Sequence, residues 1–173
     1  NTTSPGSGKN WYSITSSDDF TKLAAVVYGG NIWTSSNSGS TWTENASSFA
    51  FVINKDWYSI TSSSDGTKLA AVVKNGNIWT STDSGATWTE DTSVGSTKDW
   101  RSITSSSDGT KLAAVAYNDN IWTSNDSGVT WTVDTSIGAT KQWRAITSSA
   151  DGAKLSALTW SGSQGIWKSN DSG

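Results

Sequence analysis

Residues 57–99 read WYSITSSSDGTKLAAVVKNGNIWTSTDSGATWTEDTSVGSTKD, and this stretch decides the fold because the chain repeats it. Residues 100–142 match it at 33 of 43 positions. The Trp that opens the stretch recurs at positions 11, 57, 100 and 143, in steps of 46, 43 and 43 residues. The chain is therefore a tandem array with copies at 11–56, 57–99, 100–142 and 143–173, and residues 1–10 match the end of a copy, the linker that precedes its opening Trp.

The residue types of the repeat predict strands and not helices. Each copy offers Thr, Ser, Val, Ile and Trp, which favour strands, divided by Asp-Gly and Asn-Gly pairs, which favour hairpin turns. In the second copy, four strands A to D are expected at 57–62, 69–74, 77–81 and around 87–89. Strict alternation in strand A would place Trp57 on one face and both Tyr58 and Ile60 on the other.

A period of 40 to 45 residues with four short strands is typical of one blade of a β-propeller. The expected fold class is therefore all-β, a β-propeller of four-stranded blades, with residues 1–173 as one domain. Because each blade contacts only its neighbours, the period leaves two alternatives open. The chain is either a four-bladed ring or a four-blade segment of a larger propeller or longer array.

Composition excludes several classes of partner. The net charge of −3 and the sequence pI near 4.7 argue against nucleic acid and anionic membranes. No apolar run is long enough to span a membrane, and the chain has no Cys. Its 12 Trp supply the core volume that few Leu and Phe provide.

The turn between strands C and D carries a family resemblance. Residues 81–88, STDSGATW, resemble the Asp-box S-x-D-x-G-x-T-W of sialidase-type (BNR) repeats. Residues 124–131 repeat this pattern, residues 35–42 keep it with Asn in place of Asp, and residues 169–173 begin it again. The resemblance implies a structural turn on the side of the propeller away from the ligand. That structural role is predicted for Asn37, Gly39, Trp42, Asp83, Gly85, Trp88, Asp126, Gly128, Trp131, Asp171 and Gly173.

Sialidase activity is the enzymatic hypothesis that the resemblance raises, and the residues argue against it. Sialidases hold the substrate carboxylate with three arginines, whereas this chain has only Arg101 and Arg144. The chain also lacks His and Cys, and most of its acids recur in register, as expected of residues that serve the repeat. We predict a protein that is not an enzyme and needs no metal or cofactor, with a sialidase-like glycoside hydrolase as the least favoured alternative.

Differences between copies indicate where a ligand binds. The A–B turns are nearly invariant, while the B–C turns and the D–A linkers vary and carry aromatic residues. Candidate ligand-binding residues are Tyr28, Lys74, Tyr117, Asp119, Trp160, Gln164, Phe49 and Phe51. Aromatic and polar groups together suit carbohydrate, so a lectin-like binding module is the first hypothesis. The alternative is a structural or assembly protein that binds protein partners through the same face.

Two features of the chain ends give further expectations. Aligned with the other copies, Asn1 falls opposite Glu90 and Gly173 opposite Gly85, so the core of strand D is missing from the fourth copy. An open blade edge invites strand addition, and self-association is therefore predicted. The absence of an initial Met and four N-x-S/T triplets suit a secreted glycoprotein. The candidate glycosylation sites are Asn1, Asn45, Asn125 and Asn170.

Overall fold

The structure is a computed structural model that describes residues 5, 8–45, 54–160 and 165–173. Within these residues every regular secondary-structure element is a β-strand, which confirms the all-β class. No helix in this described part is long and apolar enough to cross a membrane.

Fifteen strands are present in the described residues, and all of their pairings are antiparallel. In chain order they are β1 Trp11–Ser16, β2 Leu23–Gly30, β3 Ile32–Ser35, β4 Thr43–Asn45, β5 Lys55–Ser62, β6 Leu69–Gly76, β7 Ile78–Ser81, β8 Thr89–Asp91, β9 Lys98–Ser105, β10 Leu112–Asp119, β11 Ile121–Ser124, β12 Thr132–Asp134, β13 Lys141–Ser148, β14 Leu155–Thr159 and β15 Ile166–Ser169.

The strands form four successive groups in which each strand pairs with the next one along the chain. We call them unit 1 (β1–β4), unit 2 (β5–β8), unit 3 (β9–β12) and unit 4 (β13–β15). The units are linked because the end of each second strand also pairs with the start of the next unit's first strand. Tyr28 lies opposite Asp56 in the first of these links.

A register shift interrupts the first strand of every unit at the same position. In unit 2, Trp57 pairs with Val73 and Ser59 pairs with Val72, so Tyr58 is an extra residue of the β-bulge type. The same shift follows the opening Trp in the other three units. A bulge breaks alternation, and Trp57 and Ile60 are buried in one cluster although strict alternation predicted opposite faces.

The apolar core lies between consecutive units. Val26 and Ile32 of unit 1 pack in one cluster with Trp57, Ile60 and Trp88 of unit 2. Equivalent residues form the clusters between units 2 and 3 and between units 3 and 4. Trp57 is fully buried, so its truncation to Ala is expected to cost about 3–5 kcal/mol of stability.

The turns that resemble Asp-boxes are closed by their own side chains. Asp83 accepts a hydrogen bond from the Thr87 N–H at 2.8 Å and another from the Thr87 hydroxyl at 2.6 Å. The Gly85 N–H donates to Ser81 Oγ at 2.9 Å, and the Trp88 indole donates to the Gly85 carbonyl at 3.1 Å. The Ser81 hydroxyl also donates to the Asp83 carboxylate at 2.8 Å. This bond and the bond from the Gly N–H to the Ser hydroxyl recur in the turns of Asp126, Asp171 and Asn37, where the Asn37 amide oxygen takes the place of the carboxylate.

Candidate functional site: a groove along the first strands

The bulged residues of the four units line one open groove. Tyr12, Tyr58, Arg101 and Arg144 are the residues that directly follow the opening Trp of each first strand. The first strands of neighbouring units pack side by side, which brings these four side chains into a row. The groove is open to solvent, has a volume of about 470 Å³, and is completed by Trp11, Ser13, Ser59, Ser102 and Ala145. We call it the inner groove.

Three tyrosines form one end of the inner groove. The Tyr12 ring stacks on Tyr28 with centroids 5.0 Å apart and meets the edge of Tyr58 at 4.8 Å. The Tyr28 hydroxyl donates to the Asp56 carboxylate, and this hydrogen bond raises the pKa of Tyr28 above its ordinary value. Tyr12 is 48% exposed, so this end presents a large aromatic surface to solvent.

Arg101 occupies the middle of the row and contacts two tyrosines and one carboxylate. Its guanidinium lies 5.0 Å from the Tyr58 ring centroid and 5.1 Å from that of Tyr117. One nitrogen donates to the Tyr58 hydroxyl at 2.9 Å, and another donates to the Asp99 carboxylate at 2.5 Å. The positive charge of Arg101 is therefore already compensated by Asp99.

Arg144 stands at the other end with a different set of neighbours. Its guanidinium lies 4.3 Å from the Trp160 ring centroid. Among the described residues no carboxylate lies within 4.0 Å of it, since Gln142 stands where unit 3 has Asp99. Both Arg144 and Trp160 are exposed.

The structure brings three of the predicted ligand-binding residues to the inner groove. Tyr28, Tyr117 and Trp160 each contact a groove residue, while Lys74 holds the equivalent strand position in unit 2 and lies opposite Asp99 in the sheet.

Asp119 is engaged elsewhere. Its carboxylate accepts hydrogen bonds from Lys98 Nζ at 2.8 Å, the Asn120 N–H at 2.7 Å and the Trp122 indole at 3.1 Å. Phe49, Phe51 and Gln164 lie outside the described residues.

The groove residues themselves were not among the predicted site residues. Most of the variation between copies lies in the loops, yet the position after the opening Trp also varies, as Tyr12, Tyr58, Arg101 and Arg144. It is the first difference within an otherwise nearly constant strand, so a comparison of the copies can identify this position as a candidate site. The bulge that turns this position into the groove has no signature in the residue types, and strict alternation hid it.

Two further cavities are less suited to a ligand. One of about 240 Å³ lies between units 1 and 2 and is lined by Ser, Thr, Gly, Leu, Ala and Lys22 without an aromatic residue. The other, of about 400 Å³, borders Leu155, Ala157 and Trp167, the counterparts of the residues that surround Trp88 in unit 2. No group of three or more His, Cys, Asp or Glu residues suited to a metal ion exists in the described part of the chain.

The candidate glycosylation sites differ in access. Asn45 is buried, and its side-chain nitrogen donates to the Gly85 carbonyl of the next unit. A glycan on that nitrogen is incompatible with this contact. Asn125 and Asn170 are exposed in the turns that resemble Asp-boxes, and Asn1 lies outside the described residues.

Comparison with known proteins identifies the fold. No protein-family profile matches the chain, and no curated protein matches its sequence. Among solved structures, the GH74 enzyme of Niastella koreensis superposes with a TM-score of 0.70 at 19% identity, covering 94% of this chain and 23% of the enzyme. YCF48 bound to D1 peptide superposes with a TM-score of 0.62 at 16% identity, and the match covers 87% of this chain and 51% of YCF48. A chain of a nidogen/laminin complex superposes with a TM-score of 0.72 at 14% identity, and the match covers 94% of this chain and 61% of that chain.

These similarities show the fold alone, because every identity is below 20%. The matching structures are β-propellers, one of them a β-propeller domain by name, and the present chain has that fold. It spans about a quarter of the length of the GH74 enzymes, whose covered shares are 23%, 25% and 26%.

Proposed function

We propose that this chain is an extracellular, non-enzymatic binding module that holds carbohydrate in the inner groove. In this proposal its units are the four blades of an Asp-box propeller, and the Asp-box turns lie on the opposite side. The observation that carries the proposal is the open row of Tyr12, Tyr58, Arg101 and Arg144 along the first strands.

The chemistry of the groove suits a sugar. Exposed aromatic faces pack against the apolar C–H faces of pyranose rings, and hydroxyl and guanidinium groups beside them bind sugar hydroxyls. Tyr12 and Tyr28 supply the rings, while Ser13, Ser59 and Ser102 supply hydroxyl groups. A volume of about 470 Å³ lies within the range of small-ligand sites.

The groove offers little support for hydrolysis. Glycoside hydrolases use two carboxyl groups on either side of the scissile bond. None of the described residues that line the groove is an Asp or Glu. The nearest acids are already engaged, Asp56 by the Tyr28 hydroxyl and Asp99 by Arg101.

A glycan array followed by titration calorimetry tests the proposal. We expect reproducible saccharide hits whose affinity falls about tenfold in Tyr12→Ala, because a stacked ring is lost. Phe20→Ala removes an exposed aromatic ring outside the groove and is the matched control, with unchanged affinity expected. A blank array, or equal effects of the two variants, contradicts the assignment.

A second candidate function, assembly with protein partners, is favoured by the exposed apolar residues of the outer units. Trp11 and Ile14 of unit 1 are 39% and 63% exposed, and Leu158 and Ile166 of unit 4 are 41% and 70% exposed. Exposed apolar clusters commonly mark interaction surfaces. Two of the similar structures contain a peptide or protein ligand: YCF48 is bound to D1 peptide, and the other is a nidogen/laminin complex.

A further inference from the structure

The arginines at the equivalent position of units 3 and 4 have different surroundings. Arg101 and Arg144 follow the opening Trp of their units, and each is the extra residue of its bulge. The carboxylate of Asp99, two residues before Arg101, accepts a hydrogen bond from the Arg101 guanidinium at 2.5 Å. Gln142 holds the corresponding place before Arg144 and brings no charge.

The second stabilising partner of Arg101 is also missing at Arg144. Arg101 reaches back to the Tyr58 hydroxyl of the preceding unit at 2.9 Å. The residue that corresponds to Tyr58 in the unit before Arg144 is Arg101 itself. Arg144 therefore has a cation as its neighbour in the row where Arg101 has a phenol.

Among the described residues, Arg144 therefore has no carboxylate partner, and it lies on a wall of the groove whose described lining holds no acidic residue. Asp99 already compensates the charge of Arg101, so Arg144 is the arginine of the row whose charge an added anion would compensate. The Trp160 ring lies 4.3 Å from the Arg144 guanidinium, and within the described part of the chain that guanidinium makes no hydrogen bond. Its planar N–H groups suit a planar acceptor.

We infer that Arg144, with Trp160 beside it and Arg101 behind it, binds an anionic substituent of the saccharide, a carboxylate or a sulfate. This inference rests on the proposed carbohydrate function and names its ligand class. The tyrosine end then binds uncharged sugar rings of the same chain, and the arginine end selects for charge.

Four oligosaccharides of equal length test the inference by calorimetry. Hexagalacturonate and its methyl ester differ in carboxylate charge and in the ester methyl groups. A sulfated galactan hexamer and its desulfated form differ in sulfate and carry no such methyl groups. We expect at least one anionic hexamer to bind about tenfold or more tightly than its neutral partner. The pair that shows the preference identifies the acid group.

Three variants then assign the preference to Arg144. Arg144→Gln is expected to abolish the preference, because it weakens binding of the anionic hexamer about tenfold more than binding of the neutral hexamer. Gln142→Asp copies the pair that unit 3 already contains, so it is expected to abolish the preference without loss of fold. Asp99→Gln frees Arg101 and is expected to increase the preference.

The outcomes separate the two proposals. Equal binding of anionic and neutral hexamers overturns the anion site and leaves saccharide binding standing. An anionic preference that survives both Arg144→Gln and Gln142→Asp overturns the assignment to Arg144. If none of the four hexamers binds, the inference is overturned, and the glycan array alone decides the carbohydrate function. Near-ultraviolet circular dichroism of the Trp residues reports whether each variant is folded.

Discussion

Phe20 adopts a backbone conformation that its counterparts leave to glycine. Its φ is 61°, and the equivalent residues Gly66, Gly109 and Gly152 have φ of 65°, 68° and 66°. A bulky residue pays about 1–2 kcal/mol in this left-handed region. Space explains why unit 1 alone tolerates it: a Cβ on Gly66 would lie 2.9 Å from Lys22 Cβ of the preceding unit, and the described residues place no unit before unit 1.

Phe20→Gly is therefore expected to raise the free energy of unfolding by about 1 kcal/mol, since relief of strain exceeds the entropy that glycine adds to the unfolded chain. Gly66→Ala is expected to lower it by about 2–3 kcal/mol, through both strain and collision with Lys22. Urea denaturation monitored by Trp fluorescence measures both. A less stable Phe20→Gly protein would contradict this account.

At the scale of elements, the first turn of each unit is held by a carboxylate. Asp65 accepts hydrogen bonds from the Ser63 hydroxyl at 2.6 Å and the Thr67 N–H at 2.9 Å. These bonds lower the pKa of Asp65 from 3.8 to about 2, and Asp19 in unit 1 is lowered to about 2 in the same way. Asp108 shows the same direction of shift, with the Ser106 hydroxyl as its main cause.

This predicts the response of the protein to acid. A carboxylate whose pKa is lower in the folded state stabilises the fold above its unfolded pKa, and the contribution is lost as pH falls through the folded value. The melting temperature is expected to be flat above about pH 5 and to fall between about pH 4 and pH 2. Each turn contributes modestly because its carboxylate is exposed and screened.

The combined variant Asp19→Asn, Asp65→Asn, Asp108→Asn is the control for the acid response. Its melting temperature at pH 7 is expected to be lower, and its fall between pH 4 and pH 2 smaller, than in the parent chain. An identical acid profile in both proteins would show that these turns do not cause the effect.

The sequence patterns predicted the elements well where side chains alternate and poorly where the backbone shifts register. Strands were expected at 57–62, 69–74, 77–81 and 87–89, and they lie at Lys55–Ser62, Leu69–Gly76, Ile78–Ser81 and Thr89–Asp91. The chain turns at Asn75-Gly76 as expected, with φ of 54° at Asn75, and the second strand extends to Gly76 because its end also pairs with the next unit. That long-range pairing, like the bulge at Tyr58, depends on a neighbouring unit and has no local signature.

At the scale of the whole molecule, the two outer units expose what the inner units bury. Ile14 is 63% exposed, whereas its counterpart Ile60 is 4% exposed because unit 1 covers it. Ile166 is 70% exposed, whereas Ile121 is 6% exposed beneath unit 4. The free surface of unit 4 thus carries the residue types that cover a first strand elsewhere in the same chain, so a second copy can dock unit 4 against unit 1.

We expect residues 1–173 to sediment as more than a monomer at micromolar concentration, with a mass that rises with concentration. Ile14→Asp and Ile166→Asp each place a charge in this contact and are expected to shift the chain to monomer without loss of fold, since both sites are exposed. Phe20→Gly is expected to strengthen self-association. In the geometry of the inner contacts, the Cβ of Phe20 would meet Lys154 of the second copy, as a Cβ on Gly66 would meet Lys22, so its removal tightens the association. A parent chain that stays monomeric across the concentration range, with Phe20→Gly equally monomeric, would rule out this contact.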